Sequence, residues 1–291
     1  MSDSGAGVLP PRFSTQALWR DARTAINIVD TIRADLPGLD GWINFPLLNQ
    51  SGQGGDLRLE AYTGRSRPTE YANDLPMTMT IVRELGRAGF DFRYARIAVL
   101  PGRDVLRPHV DMYAATRLIV ALNEQGDDFR HVFDDVAVAM RAGEVWAVEG
   151  SRCHGAANVS RSGTRVALLL DAQLGSGPAD WAAPWQIQPD RRLHRPLWTA
   201  GTREARRELF RQLAAAHGWE AAEKEWHFLA FEFDIRPHDA YAELIALYED
   251  LSSAAQAPQR RRFLRARAGH WSRHNCVCVD EPELGTQQLN P

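Results

Sequence analysis

Between residues 90 and 173 the chain breaks into short apolar runs, each closed by a turn signal. The runs are Phe92–Leu100, His109–Met112, Thr116–Leu122, Val136–Ala139, Glu144–Glu149 and Thr164–Leu170. Pro101-Gly102, Gln125-Gly126, Ala142-Gly143 and Ser162-Gly163 punctuate them. Runs of this length and composition predict strands. Many short strands in succession fold as a sandwich or barrel.

These strands carry a constellation of metal-binding residue types. His109 and Asp111 are two apart, and residues i and i+2 of a strand share a face. His154 lies on a later segment that would return alongside them. Two histidines and one carboxylate are the facial ligand set of non-haem iron(II), which leaves three positions for other ligands. Arg165 opens the run Thr164–Leu170, and its guanidinium could hold a second carboxylate bidentately. The set suggests an iron oxygenase that uses 2-oxoglutarate. An HxD pair alone is a weak signal in a chain with nine histidines, and His154 alone reads as an ordinary surface or core residue. Their order around strand-like segments makes the signal.

A length of 291 residues allows one large or two small domains with a sizeable core. The net charge of −3 implies no general attraction to nucleic acid or anionic membrane. Arg260-Arg261-Arg262 reads as a solvated helix face around Phe263-Leu264. No apolar run is long enough to span a membrane, and Met1–Gly5 lacks the features of a secretion signal, so the cytoplasm is the expected compartment. Three cysteines, Cys153, Cys276 and Cys278, argue against a disulfide framework; Cys276 and Cys278 read as two reduced thiols in a peripheral strand or loop, and Cys153 as packing away from the metal.

Helical periodicity flanks the β-rich segment. Ser14 or Thr15 could cap a helix through Leu18, Ala22, Ala25, Val29 and Ile32, ended by Pro37-Gly38. Strand-like segments follow at Trp42–Leu48 and Leu57–Tyr62, then a helix from Pro76 to about Gly89. Beyond a Gly-, Pro- and Trp-rich connector, Thr202 could cap a helix ending near Gly218. A second begins near Glu220 and breaks at Pro237, and a third uses Tyr241, Leu244 and Ile245. The expected division is an oxygenase core over 1–175 and a mostly helical region over 176–291.

Several segments carry a family resemblance. Arg107-Pro108-His109-Val110-Asp111-Met112 resembles the metal-binding segment of the bacterial free-proline hydroxylases, 2-oxoglutarate/iron enzymes related to the aspartyl/asparaginyl β-hydroxylases. Trp42 through Leu48-Asn49-Gln50-Ser51-Gly52, Arg93–Ile97, Ala142–Trp146 and Cys153–Ala156 resemble further stretches, and Trp226 through Tyr241 their helical C-terminal region more loosely. The resemblance implies an α+β protein whose core is a double-stranded β-helix, or jelly roll. It implies His109, Asp111 and His154 as ligands of Fe(II), Arg165 as anchor of the 2-oxoglutarate co-substrate, and O2 as oxidant. The implied reaction hydroxylates an unactivated C–H bond of a small free amino acid, proline-like or aliphatic. Alternatives are a hydroxylase of a peptide or carrier-bound residue and a non-catalytic jelly-roll binding module. A homodimer is one assembly open to such a chain.

Three further residues are candidates for the substrate pocket. Arg96 and Arg117 sit amid apolar neighbours on strands flanking the metal motif. A cation facing a core needs an anionic partner. That partner could be a substrate carboxylate, as the relatives' arginines at both matching positions suggest, or a chain carboxylate such as Asp104 or Glu149. Trp146 could line the pocket or belong to the core. This chain departs from the family pattern at Ala139, where relatives often carry histidine, at Met112-Tyr113, and in the Gly126–Asp135 loop. These departures leave room for a substrate other than proline.

Overall fold

A computed structural model describes residues 6–9, 13–36, 41–56, 66–109, 116–123, 127–150, 152–173, 176–177 and 191–251. Strands β4 (Phe92–Leu100), β5 (Asp104–His109), β6 (Thr116–Ala121), β7 (Phe129–Phe133), β8 (Val136–Ala139), β9 (Val145–Glu149), β10 (His154–Asn158) and β11 (Arg165–Ala172) form the core. The larger sheet orders β9-β6-β11-β4, extended by β1 (Ala6–Leu9), β2 (Ile43–Asn49) and β3 (Arg67–Pro68). The smaller sheet orders β5-β10-β7-β8. From β4 to β11 successive strands pass between the two sheets, except for the β7–β8 hairpin within the smaller one, and neighbours pair antiparallel. This is a double-stranded β-helix, the jelly roll expected.

Strand alternation sorts residues into three layers. On β4, β6 and β11, Ile97, Val99, Leu118, Val120, Val166 and Leu168 face helices α1 (Thr15–Asp35) and α2 (Pro76–Arg87). Their neighbours Ala98, Ile119, Ala167 and Leu169 face the other sheet, where they meet Phe133, Val138 and Trp146. The outer face of the small sheet, with Val132, Ala137 and Ala157, is covered by Phe228 and Phe231. Those phenylalanines come from the helical region, built of α3 (Ala200–His217), α4 (Trp219–Trp226), α5 (Leu229–Glu232) and α6 (Pro237–Asp250).

The helix ends show how local chemistry and tertiary packing divide the work. Leu75, at the N-cap of α2, has no side-chain oxygen. Buried Asp21 of α1 caps α2 instead, accepting from the Thr78 backbone N–H at 2.6 Å and its hydroxyl at 2.8 Å. Thr199, not Thr202, caps α3, accepting from the Thr202 backbone N–H at 3.2 Å. Pro237 begins α6 rather than breaking a helix, because a first-turn residue has no intrahelical use for an N–H.

Other expectations shift as well. The strand expected to open at His109 already starts at Asp104, and the rest of its expected span, to Met112, lies outside the described residues. The Gly126–Asp135 loop contains β7. The Leu57–Tyr62 strand lies outside the described residues. Cys153 is buried and disulfide-bonded, which the odd cysteine count did not suggest, and Cys276 and Cys278 lie outside the described residues.

An ion network joins the β4–β5 turn to the helical region. The Arg103 guanidinium binds Glu225 and Glu232 while lying 4.0 Å from the Phe228 ring centroid. Arg206 bridges the same two glutamates, and Lys224 reaches Asp104 at 2.9 Å. Burial opposes the charge on Arg103, but its bonds to Glu225 and Glu232 outweigh that and raise its pKa. Arg103→Ala leaves two glutamates facing one cation and strips a cation from Phe228. It should cost about 2 kcal/mol, read as a lower urea midpoint at unchanged slope.

Candidate active site

Two strands of the small sheet bring the histidines together. His109 ends β5 and His154 begins β10, and the two stand directly opposite in the antiparallel register. Their rings lie 4.4 Å apart, centroid to centroid, tilted by 49°. The Nδ1 of His109 lies 2.8 Å from the Arg107 carbonyl oxygen, and that of His154 lies 2.9 Å from the Arg152 carbonyl oxygen. Each carbonyl accepts from Nδ1–H, so each Nε2 keeps its lone pair. A metal-ligating histidine is ordinarily held this way.

A β-bulge sets the aim of His109. Between the pairs His154–His109 and Ala156–Leu106, β10 advances two residues and β5 three. Directly opposed residues share a face. The extra residue therefore lets both Leu106 and His109 face the space between the sheets, which strict alternation would forbid. Pro108 suits the bulge because it has no N–H to give the ladder. Gly155 lets the strands close here: a Cβ on it would stand 2.9 Å from the Pro108 nitrogen and 3.0 Å from the Leu106 oxygen. Both are backbone atoms that cannot swing aside. Gly155→Ala should push β5 from β10 and part the histidines, weakening divalent-metal affinity about tenfold or more in calorimetric titration. Unchanged affinity would show that the histidine spacing does not depend on this contact.

Asp111 lies outside the described residues. The described part of the expected triad is thus the histidine pair. Its two imidazole donors with parallel backbone support fit a divalent transition metal.

The three expected arginines all face the space between the sheets, since Ala98, Ile119 and Ala167, two residues on from each, belong to that layer. Arg96, Arg117 and Arg165 are 6%, 4% and 3% exposed, so each charge needs an answer. Arg117 finds Asp171 on the neighbouring strand, Nε to Oδ1 at 2.7 Å. Its Nη1 stands 3.4 Å from His154 Nε2, at the metal end of the cavity. Arg165 Nη2 is 2.8 Å from Nε2 of His131 on β7. Arg96 has no ion-pair partner among the described residues; its Nε is buried without a hydrogen bond, and the guanidinium lies 5.5 Å from the Tyr94 ring centroid. Of the carboxylates considered as structural partners, Asp104 goes to Lys224, and the Glu149 side chain lies outside those described.

Trp146 takes the second of its two expected places. It is fully buried between the sheets, stacked on Phe133, and its indole N–H donates to Glu144 at 3.2 Å. Glu144 also receives Arg191 at 2.5 Å. Sequence reasoning missed Asp171 and His131. Alternation could have found Asp171, six residues after Arg165 and therefore on the same face. His131 sat in a segment read as loop.

Among the described residues, a double-stranded β-helix thus carries paired histidines at one end with buried arginines behind them. The family model for aspartyl/asparaginyl β-hydroxylases matches residues 15–173, from α1 through β11, and the chain belongs to that family. It is similar to L-proline cis-3-hydroxylase 1 of a Streptomyces species, 30% identical over 172 residues, covering 54% of this chain and 58% of the relative. L-proline cis-3-hydroxylase 2, also from Streptomyces, is 26% identical over 252 residues, 78% of this chain and 83% of the relative. Among solved structures, a 2OG-Fe(II) oxygenase family oxidoreductase from Burkholderia pseudomallei aligns at a TM-score of 0.38 and 18% identity, covering 60% of this chain and 86% of its own. No helix among the described residues is long and apolar enough to cross a membrane.

Proposed function

We propose that this chain is an Fe(II)/2-oxoglutarate-dependent dioxygenase that hydroxylates a small free amino acid, proline-like or aliphatic. The observation that carries the reading is the facing pair His109–His154 with three buried arginines around the same interior. The two similar proteins act on L-proline, which supports an amino-acid substrate.

In this reading the Nε2 atoms of His109 and His154, with Asp111, hold the iron. Bound iron supplies the oxidation, in which O2 and 2-oxoglutarate become succinate and carbon dioxide while a substrate C–H becomes C–OH. Arg165 anchors the distal carboxylate of 2-oxoglutarate. Arg96 and Arg117 receive the α-carboxylate of the substrate. Asp171 holds Arg117 by Nε, so its Nη groups are oriented before substrate arrives. Trp146 and Phe133, stacked on each other, stiffen the wall behind the histidines.

The test is a panel of free amino acids, with peptides alongside, incubated with Fe(II), 2-oxoglutarate and air. Succinate release and a product heavier by one oxygen are read by mass spectrometry. At least one free amino acid should give both signals. Turnover with peptides alone would move the reading to a macromolecular substrate. No metal binding and no turnover would favour a binding module.

A further inference from the structure

We propose that His131 is a positioning residue for Arg165. It is a neutral imidazole that clamps the guanidinium from the opposite sheet and sets the depth at which a dicarboxylic 2-oxo acid is held. The inference rests on the reading of Arg165 as the 2-oxoglutarate anchor.

The contact is unusual in what it joins. Arg165 begins β11 in the large sheet, and His131 lies on β7 in the small one. The bond at 2.8 Å therefore spans the sandwich. Both partners are buried, 1% exposed for His131 and 3% for Arg165. A guanidinium has only donors. His131 Nε2 must then be the acceptor, which assigns its proton to Nδ1 and keeps the ring neutral. A second cation at this distance would have no lone pair to offer.

The imidazole is itself held in place. Its ring stacks on Phe133 at 6.0 Å and 12°, and Phe133 stacks on Trp146 at 6.2 Å and 14°. The strand register places His131 opposite Ala156 and Phe133 opposite His154. His131 thus sits one cross-strand step deeper than the metal end. An arginine left to itself spreads over many rotamers, and tethering one Nη group removes much of that freedom before a ligand arrives. It also fixes the distance between the histidine pair and the anchoring charge. With that distance held, oxo acids of five and four carbons differ in whether they can reach the metal and the anchor together.

The test uses full-length protein loaded with Zn(II), so that nothing turns over. Calorimetry gives Kd for 2-oxoglutarate and for oxaloacetate. His131→Phe keeps the stacked ring and removes the acceptor; it should weaken 2-oxoglutarate about tenfold and narrow the preference over oxaloacetate. His131→Gln restores an acceptor and should lie near wild type. Metal affinity should hold in both. A wild-type Kd in His131→Phe overturns the proposal, as does equal weakening in both variants with a matching fall in melting temperature. Arg165→Met is run in parallel. If that variant keeps wild-type affinity, the anchor reading itself fails; if it alone weakens, only the role of His131 fails. The tautomer gives a readout independent of variant folding. In the wild-type Zn(II) protein, 15N spectra should show His131 with Nδ1 protonated and Nε2 bare. A proton on Nε2 overturns the clamp.

Discussion

His154→Ala should lose divalent-metal binding by at least about 100-fold, since even groups that merely orient a metal ligand are worth about 10- to 100-fold. The partner ring of His109 is 4.4 Å away, and each ring has its Nδ1 committed to a carbonyl two residues back in its own chain. Removing one imidazole leaves a single histidine donor of the described pair, too few to hold iron(II) against water. It also removes the lone pair that Arg117 approaches, while the bond from Arg117 to Asp171 is kept. The fold should survive, because the change trims one side chain at a strand end. Manganese titration followed by calorimetry, with circular dichroism on the same sample, gives the answer. Wild-type affinity in a folded variant would remove the metal centre from this site.

Arg96→Met should make the protein more stable and a poorer enzyme. Arg96 is buried with no ion-pair partner among the described residues, and methionine fills similar space without the charge. Relief of that desolvation should raise unfolding free energy by about 1–3 kcal/mol. Loss of a buried, charge-assisted contact should cost about 2–5 kcal/mol of substrate binding, seen as a higher KM for the amino acid. 2-Oxoglutarate turnover without substrate should change much less. Opposite signs for stability and binding mark a residue kept for its ligand. A variant that is destabilised, with KM unchanged, would make Arg96 a structural residue.

The sequence was most legible where local chemistry decides. Strands β4, β6, β9 and β11 lie within one or two residues of their expected bounds, because their apolar runs are long and closed by glycine turns. Helices α1 and α2 start where Ser14 and Pro76 indicate. Legibility failed where the partner strand decides. His109 stands in a strand that starts five residues earlier rather than opening one, since the bulge at Pro108 has no signature apart from pairing with β10. Phe129–Phe133 carries His131 on one face and Arg130 on the other, so neither face reads as wholly apolar, and its place beside β10 makes it a strand. The arginines could be read as buried cations, but not which of them had carboxylates. Arg117 and Asp171 are 54 positions apart, and only the register unites them. The caps behave likewise: Asp21 serves a helix 57 residues away, which no local motif announces.

The cover on the small sheet has a consequence for how the chain is made. Val132, Ala137 and Ala157 are roofed by Phe228 and Phe231, which leave the ribosome about 70 residues after β10 is complete. At about 5–20 residues per second, that sheet stays bare for several seconds of every round of synthesis. The histidines stand on two of its strands, so the site cannot settle before the roof arrives. A nascent chain halted before residue 228 would display an apolar sheet to chaperones. One released after α6 would bury it within a single molecule.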